Sequence, residues 1–111
     1  MSAVSFSGLD LLTTAVAVLD GDLKLIYLNP AAETVFALSQ RNVTGHAFAE
    51  LFVDGRTFGE TLSRALADVR GFVDQELTLT RPGYEPLHLN CVVTPMDTNT
   101  AALVIEFRHV E

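Results

Sequence analysis

A chain of 111 residues, 49% hydrophobic and 19% charged, carries enough apolar side chain for one buried core and is too apolar for intrinsic disorder. Its 7 basic residues against 14 acidic ones leave a net charge of −7. That balance excludes duplex DNA, RNA and anionic lipid as partners, because phosphate recognition needs clustered Lys and Arg. The single lysine, Lys24, and the scattered arginines form no such cluster, so a protein or a small ligand is the expected partner. The longest apolar runs, such as AALVI near the end, fall far short of the roughly 20 residues that cross a bilayer. The first residues show no basic cluster leading into an apolar stretch, so no secretory signal and a cytoplasmic location are expected. One cysteine, Cys91, allows neither an internal disulfide nor a multi-thiolate metal site in a monomer.

In chain order, residues 7–13 (SGLDLLT) read as a short helix, with Ser7 as its N-cap and Leu9 and Leu12 spaced to dock on a neighbour. AVAVLD follows as a strand, and Asp20-Gly21-Asp22 supplies a turn in which glycine is free to take a positive φ. LKLIYLN then alternates, with Leu23, Leu25 and Tyr27 on one face and Lys24, Ile26 and Leu28 on the other; the pair reads as a hairpin. Asn29 and Pro30 start a helix, the first as cap and the second at a position whose N–H has no partner anyway. Glu33 suits the positive end of that helix, Ala32, Val35 and Phe36 form its inward stripe, and its end is expected near residues 38–39. Thr44 to Leu51 (TGHAFAEL) reads as a second short helix.

Asp54-Gly55 precedes a longer helix, expected over Thr57 to Arg70, on which Phe58, Leu62, Ala65, Leu66 and Val69 share one side. Glu60 and Arg64 fall at the i,i+4 spacing of an ion pair, and Gly71 is the expected stop. Val73–Arg81 alternates as a strand, and Arg81-Pro82-Gly83-Tyr84 suits a type II turn. Leu87, Leu89, Cys91 and Val93 alternate with His88, Asn90, Val92 and Thr94. A final strand sets Leu103, Ile105 and Phe107 against Val104, Glu106 and Arg108. The order ββαααβββ predicts an α+β domain, a five-stranded antiparallel sheet with helices on one face, over residues 14–111. Residues 1–13 are expected to form a separate amino-terminal helical segment. Val92 and Val104 interrupt the polar outer face of the sheet, so with Leu9 and Leu12 they are the candidate dimer interface.

The run LDGDLKLIYLNPAAETVF, in this order of elements, resembles a PAS domain over nearly the whole chain. It is closer still to the amino-terminal PAS domain of NtrB-type nitrogen-regulation sensor histidine kinases, which have a similar VLDxxLxIxYxNPAAExLF run and a similar LTL strand. The resemblance implies a PAS fold and a cytoplasmic parent kinase that works as a dimer. Such a kinase phosphorylates a response regulator and is governed by a PII-type protein. It also implies that the kinase core of the same polypeptide is the partner of this domain. None of the histidines precedes the glutamate of a phospho-acceptor box: His46, His88 and His109 are followed by Ala47, Leu89 and Val110. The chain is therefore expected to be a non-catalytic input domain.

Members of that family hold cofactors in several ways, and the residues speak against each here. Haem-binding members use a histidine on the long helix, where this chain has none. Flavin photoreceptors use a cysteine after the asparagine-capped helix, where this chain reads GHAFAELF, and Cys91 reads as a buried small hydrophobe. His88 and Asn90 share a strand face without a third metal ligand. The acids fall in turns or outward on strands, so no general base faces an apolar cavity. No cofactor is expected. A small ligand between sheet and long helix would meet Phe36, Phe48, Phe52, Leu62, Leu66, Leu89 and Ile105, with Tyr27 or Thr78 as polar contacts. The plainer reading is that these side chains fill one another's space. Two functions follow: a dimerising signal-coupling module of an NtrB-type kinase, or a PAS ligand sensor in another signalling protein or transcription regulator.

Overall fold

Five apolar residues in a row, AVAVL, make β1 (Ala15–Leu19), and all five are buried. A strand covered on both faces has no polar side to alternate with, so it reads as an unbroken apolar run. The computed structural model describes residues 13–68, 71–96, 98 and 100–110. The expected helix over residues 7–13, with Leu9 and Leu12, lies outside the described residues but for Thr13, and so does Val69.

β1 pairs antiparallel with β2 (Leu25–Leu28), as expected of a hairpin. The turn differs from expectation. Asp20 Oδ1 accepts the N–H groups of Asp22 and Lys24 at 2.9 and 3.0 Å, and Leu23, not Gly21, takes the left-handed conformation at φ 63°. The strand is shorter than the expected 23–29, and its alternation breaks. Tyr27 stands opposite Val18 while Leu25 stands opposite Leu19, so Ile26 is the extra residue of a bulge. Leu25 and Leu28 therefore face the helices, and Ile26 and Tyr27 both lie on the other side.

Asn29 and Pro30 open α1 (Pro30–Phe36) as cap and first turn. The helix stops earlier than expected, at Ala37 in the left-handed region (φ 53°). TGHAFAEL is not one helix. A short α2 (Gln40–Val43) precedes it, Gly45 turns the chain at φ 88°, and only Phe48–Leu51 closes a single 3₁₀ turn. The segment is held by β2: Gly45 N–H donates to the Leu25 carbonyl at 2.7 Å, Leu25 N–H to His46 at 2.9 Å and Phe48 N–H to Leu23 at 3.2 Å. Backbone bonds to an open strand edge fix its extended form where propensity would allow a helix.

α3 (Gly55–Ala67) starts and ends earlier than expected. Gly55 is required, because a Cβ there would run into the carbonyl oxygen of Ala49. The helix ends at Asp68, so Gly71 is not its stop. Arg64 does not pair with Glu60; its guanidinium donates to Gln75 Oε1 at 3.3 Å. β3 (Val73–Leu79) and β4 (Leu87–Pro95) pair in register across the Arg81–Tyr84 turn. That turn has the expected form, with Gly83 at φ 86° and Tyr84 N–H on the Arg81 carbonyl at 3.0 Å. β5 (Leu103–His109) lies between β1 and β4, giving the order β2-β1-β5-β4-β3, all antiparallel. This is the expected α+β architecture. The core lies between the inner face of the sheet and the helices.

Candidate functional site

The inner cavity that a ligand would use is occupied by aromatic rings. Phe36 sits at the end of α1, Phe48 and Phe52 flank the 3₁₀ turn, Phe58 opens α3 and Phe107 comes from β5. Ring centroids lie 4.9 Å apart for Phe36–Phe107, 5.4 Å for Phe48–Phe52 and 5.5 Å for Phe36–Phe52, all edge to face. That is direct contact in the favoured geometry. Leu62, Leu89 and Ile105 are fully buried beside them, and Leu66 is half-buried at the rim. Phe58 and Phe107 complete the cluster; helical spacing for Phe58 and inward strand parity for Phe107 are the signals that place them there.

Two candidate polar contacts lie elsewhere. Tyr27 is turned by the β2 bulge onto the outer face, where it packs with Val16, Val18 and Ala101. Thr78 is exposed on β3, with its hydroxyl 3.0 Å from His88 Nδ1. Strand parity alone places Thr78 there, since Leu77 and Leu79 point inward. Cys91 faces inward, fully buried, and burial pushes its thiol up to about 12. His46 and His88 are exposed, and His109 stands opposite Leu89 in the register of the inner face, exposed at the end of β5. Among the described residues no three His, Cys, Asp or Glu side chains converge to hold a metal ion.

The outer face carries an apolar patch over β1, β2 and β5. Val16, Val18, Tyr27 and Ala101 are buried there, and Ile26, Met96 and Val104 pack half-buried around them. Of the candidate interface residues, Val104 joins this patch, whereas Val92 stands apart, half-buried between Asp74 and Glu106 across its two neighbouring strands.

Asn29 ties the patch to the helices. Fully buried, it accepts at Oδ1 the N–H groups of Ala32 and Val16, each at 2.9 Å, and donates from Nδ2 to the Thr14 carbonyl at 2.8 Å. Read from sequence as a cap alone, it also fixes β1 against α1. At the other end of α1, Arg81 donates to the carbonyls of Phe36 and Ala37 at 3.0 and 2.6 Å and stacks 4.2 Å over the Tyr84 ring. A cation at a helix carboxyl end is favourable. Sequence gave no sign of this contact, because it joins residues 45 apart in the chain.

Among the described residues no helix is long and apolar enough to cross a membrane. The PAS fold family model matches residues 9–111. The sensory histidine kinase/phosphatase NtrB of Vibrio alginolyticus is 27% identical over 101 residues, which is 90% of this chain but 29% of that protein. The chain thus spans less than a third of that relative. The PAS domain of nitrogen regulation protein NR(II) from Vibrio parahaemolyticus superposes with a TM-score of 0.73 at 23% identity, over 98% of this chain and all of that one. A PAS domain from Colwellia psychrerythraea superposes with a TM-score of 0.79 at 17% identity, covering 94% of this chain and 92% of that one. With the match to nearly its full length, the helix-capping asparagine and the five-stranded sheet, this chain belongs to the PAS fold family and resembles the PAS sensor domains of NtrB-type histidine kinases.

Proposed function

We propose that this chain is the signal-coupling input module of an NtrB-type nitrogen-regulation kinase, cytoplasmic and dimeric, with no chemistry of its own. The observation that carries the reading is the similarity over nearly the whole chain to the PAS domain of NtrB. Val16, Val18, Tyr27 and Ala101 are already covered within the single chain, so a two-fold contact between copies would use the half-buried Ile26, Met96 and Val104 around them. Leu9 and Leu12 would join Val104 in that contact, with Val92 at its margin. The resemblance to NtrB supports the kinase context. The partner of the module would be the kinase core of the same polypeptide, and the response regulator and PII-type protein would act through that core. The filled phenylalanine cluster favours coupling over storage of a metabolite. Native mass spectrometry that found a small molecule bound to the purified chain would reverse that preference.

Sedimentation of the chain at about millimolar concentration tests the dimer. A monomer there, together with unchanged assembly of the parent kinase after deletion of residues 1–13, would end the dimerising role. In the gene, a helix and an H-E-x-x-N-P box after residue 111 are expected; without them the kinase context fails.

A further inference from the structure

The two edges of the sheet are treated differently. The edge of β2 is closed by residues 45–48, as described above. The edge of β3 is open along most of its length, and its open backbone groups can be identified. His88 points its carbonyl toward β5, where it accepts Val110 N–H at 3.0 Å. The Thr78–His88 pair is therefore a non-hydrogen-bonded pair of the β3–β4 ladder, and Thr78 must point its own N–H and C=O away from β4. Thr80 agrees: its carbonyl accepts Val53 N–H at 2.7 Å and its N–H donates to Asp54 Oδ1 at 3.1 Å, both from outside the sheet. By the two-residue period, Glu76 and Asp74 present their N–H and C=O groups to the same edge. Among the described residues nothing answers those of Asp74, Glu76 and Thr78.

We propose that this edge is a docking site for an extended segment of a partner protein, added as a sixth strand along residues 74–78. The side chains specify its chemistry. Asp74 and Glu76 are exposed on the outer face, two positions apart, so the facing positions of the partner, also two apart, are Lys or Arg. Leu77 is half-buried on the inner side, so the partner residue facing it, next to the cation opposite Glu76, is apolar. Arg64, on Gln75 from the inner side, excludes a further cation there. A second copy of this chain is the wrong occupant: pairing β3 with β3 sets Asp74 and Glu76 against the same acids, and like charges directly opposite destabilise a sheet. Acidic side chains on an edge are also how proteins discourage self-association, which leaves the backbone groups free for a strand of opposite charge.

The test uses the 111-residue chain and a capped hexapeptide of alternating lysine and valine, with a glutamate–valine peptide as comparison. Amide shifts and slowed hydrogen exchange at Asp74, Glu76 and Thr78 are expected with the lysine peptide only, and the effect weakens as salt is raised. Glu76→Pro removes an N–H that points to the edge and not to β4, so the fold tolerates it, and affinity drops about fivefold to tenfold. Asp74→Lys with Glu76→Lys reverses the preference in favour of the glutamate peptide. Shifts spread over other acidic surfaces, or binding unchanged in Glu76→Pro and in the charge reversal alike, would overturn the proposal. Glu76→Pro leaves both the outer patch and the Asp74–Val92 pair in place, so in that variant dimerisation stands or falls separately.

Discussion

The outer face of the sheet has two halves of opposite character. Over β1, β2 and the start of β5 it is apolar and buried, through Val16, Val18, Tyr27 and Ala101. Over β3 and β4 it is polar and open, through Asp74, Glu76, Thr78, His88 and Thr94. The same contrast is written along the strands. All five residues of β1 are buried, whereas β3 alternates half-buried and exposed positions up to Leu79. One sheet therefore serves as a sealed face at one side and a solvated edge at the other. The difference teaches where coupling can reside: contacts at the sealed half reach α1 and the core through the buried Asn29, whereas the open half meets α1 at its carboxyl end through Arg81.

Identical substitutions on the two halves should separate them most. Val18→Lys places a charge at a fully buried site and should destabilise by about 4 kcal/mol or prevent folding. Thr94→Lys, on the exposed half, should stay within about 0.5 kcal/mol. Urea denaturation of both variants reads the contrast, and equal losses would abolish it. Asn29→Ala comes next. It strands the N–H groups of Val16 and Ala32 and the carbonyl of Thr14, at a cost of about 2–3 kcal/mol. Hydrogen exchange in Asn29→Ala should quicken at Val16 and in α1 while β3 keeps its protection; uniform loosening would mean the two halves are one cooperative unit.

Arg81→Ala tests the link that the open half does have with α1. Losing its bonds to the Phe36 and Ala37 carbonyls should cost about 1–2 kcal/mol, and Arg81→Lys should recover only part of that. At neutral pH ionisation of the Cys91 thiol has no effect; its influence on stability appears only at alkaline pH. Burial holds the Cys91 thiol neutral up to about 12 against an ordinary value of 9.0. The folded state thus keeps its proton where the unfolded state has lost it. That contribution is whole below about 9 and is lost as pH rises toward 12. Thermal melts of the wild type should fall through that window more steeply than those of Cys91→Ala. Thiol labelling at neutral pH should proceed only at the rate of global opening.

What the chain determined by itself is considerable. The AVAVL run, the Asn29-Pro30 start, the apolar stripe of α3, the Pro82-Gly83 turn and the alternation of β3, β4 and β5 each follow from local geometry or from period. They are enough for the ββαααβββ order and for the PAS resemblance. Residues 44–51 read as one helix from sequence and are not, because hydrogen bonds to the edge of β2 override the helical preference of the segment. Tyr27 was assigned to the wrong face, because one bulge residue, Ile26, shifts every later side chain of β2, and a bulge arises from pairing with β1. Arg81 at the end of α1, Gln75 beneath Arg64 and the open edge at Asp74–Thr78 were equally invisible. They join or leave apart elements distant in the chain. Local sequence fixes which elements form, and only the packed sheet decides which backbone edge stays unpaired and which face a side chain meets.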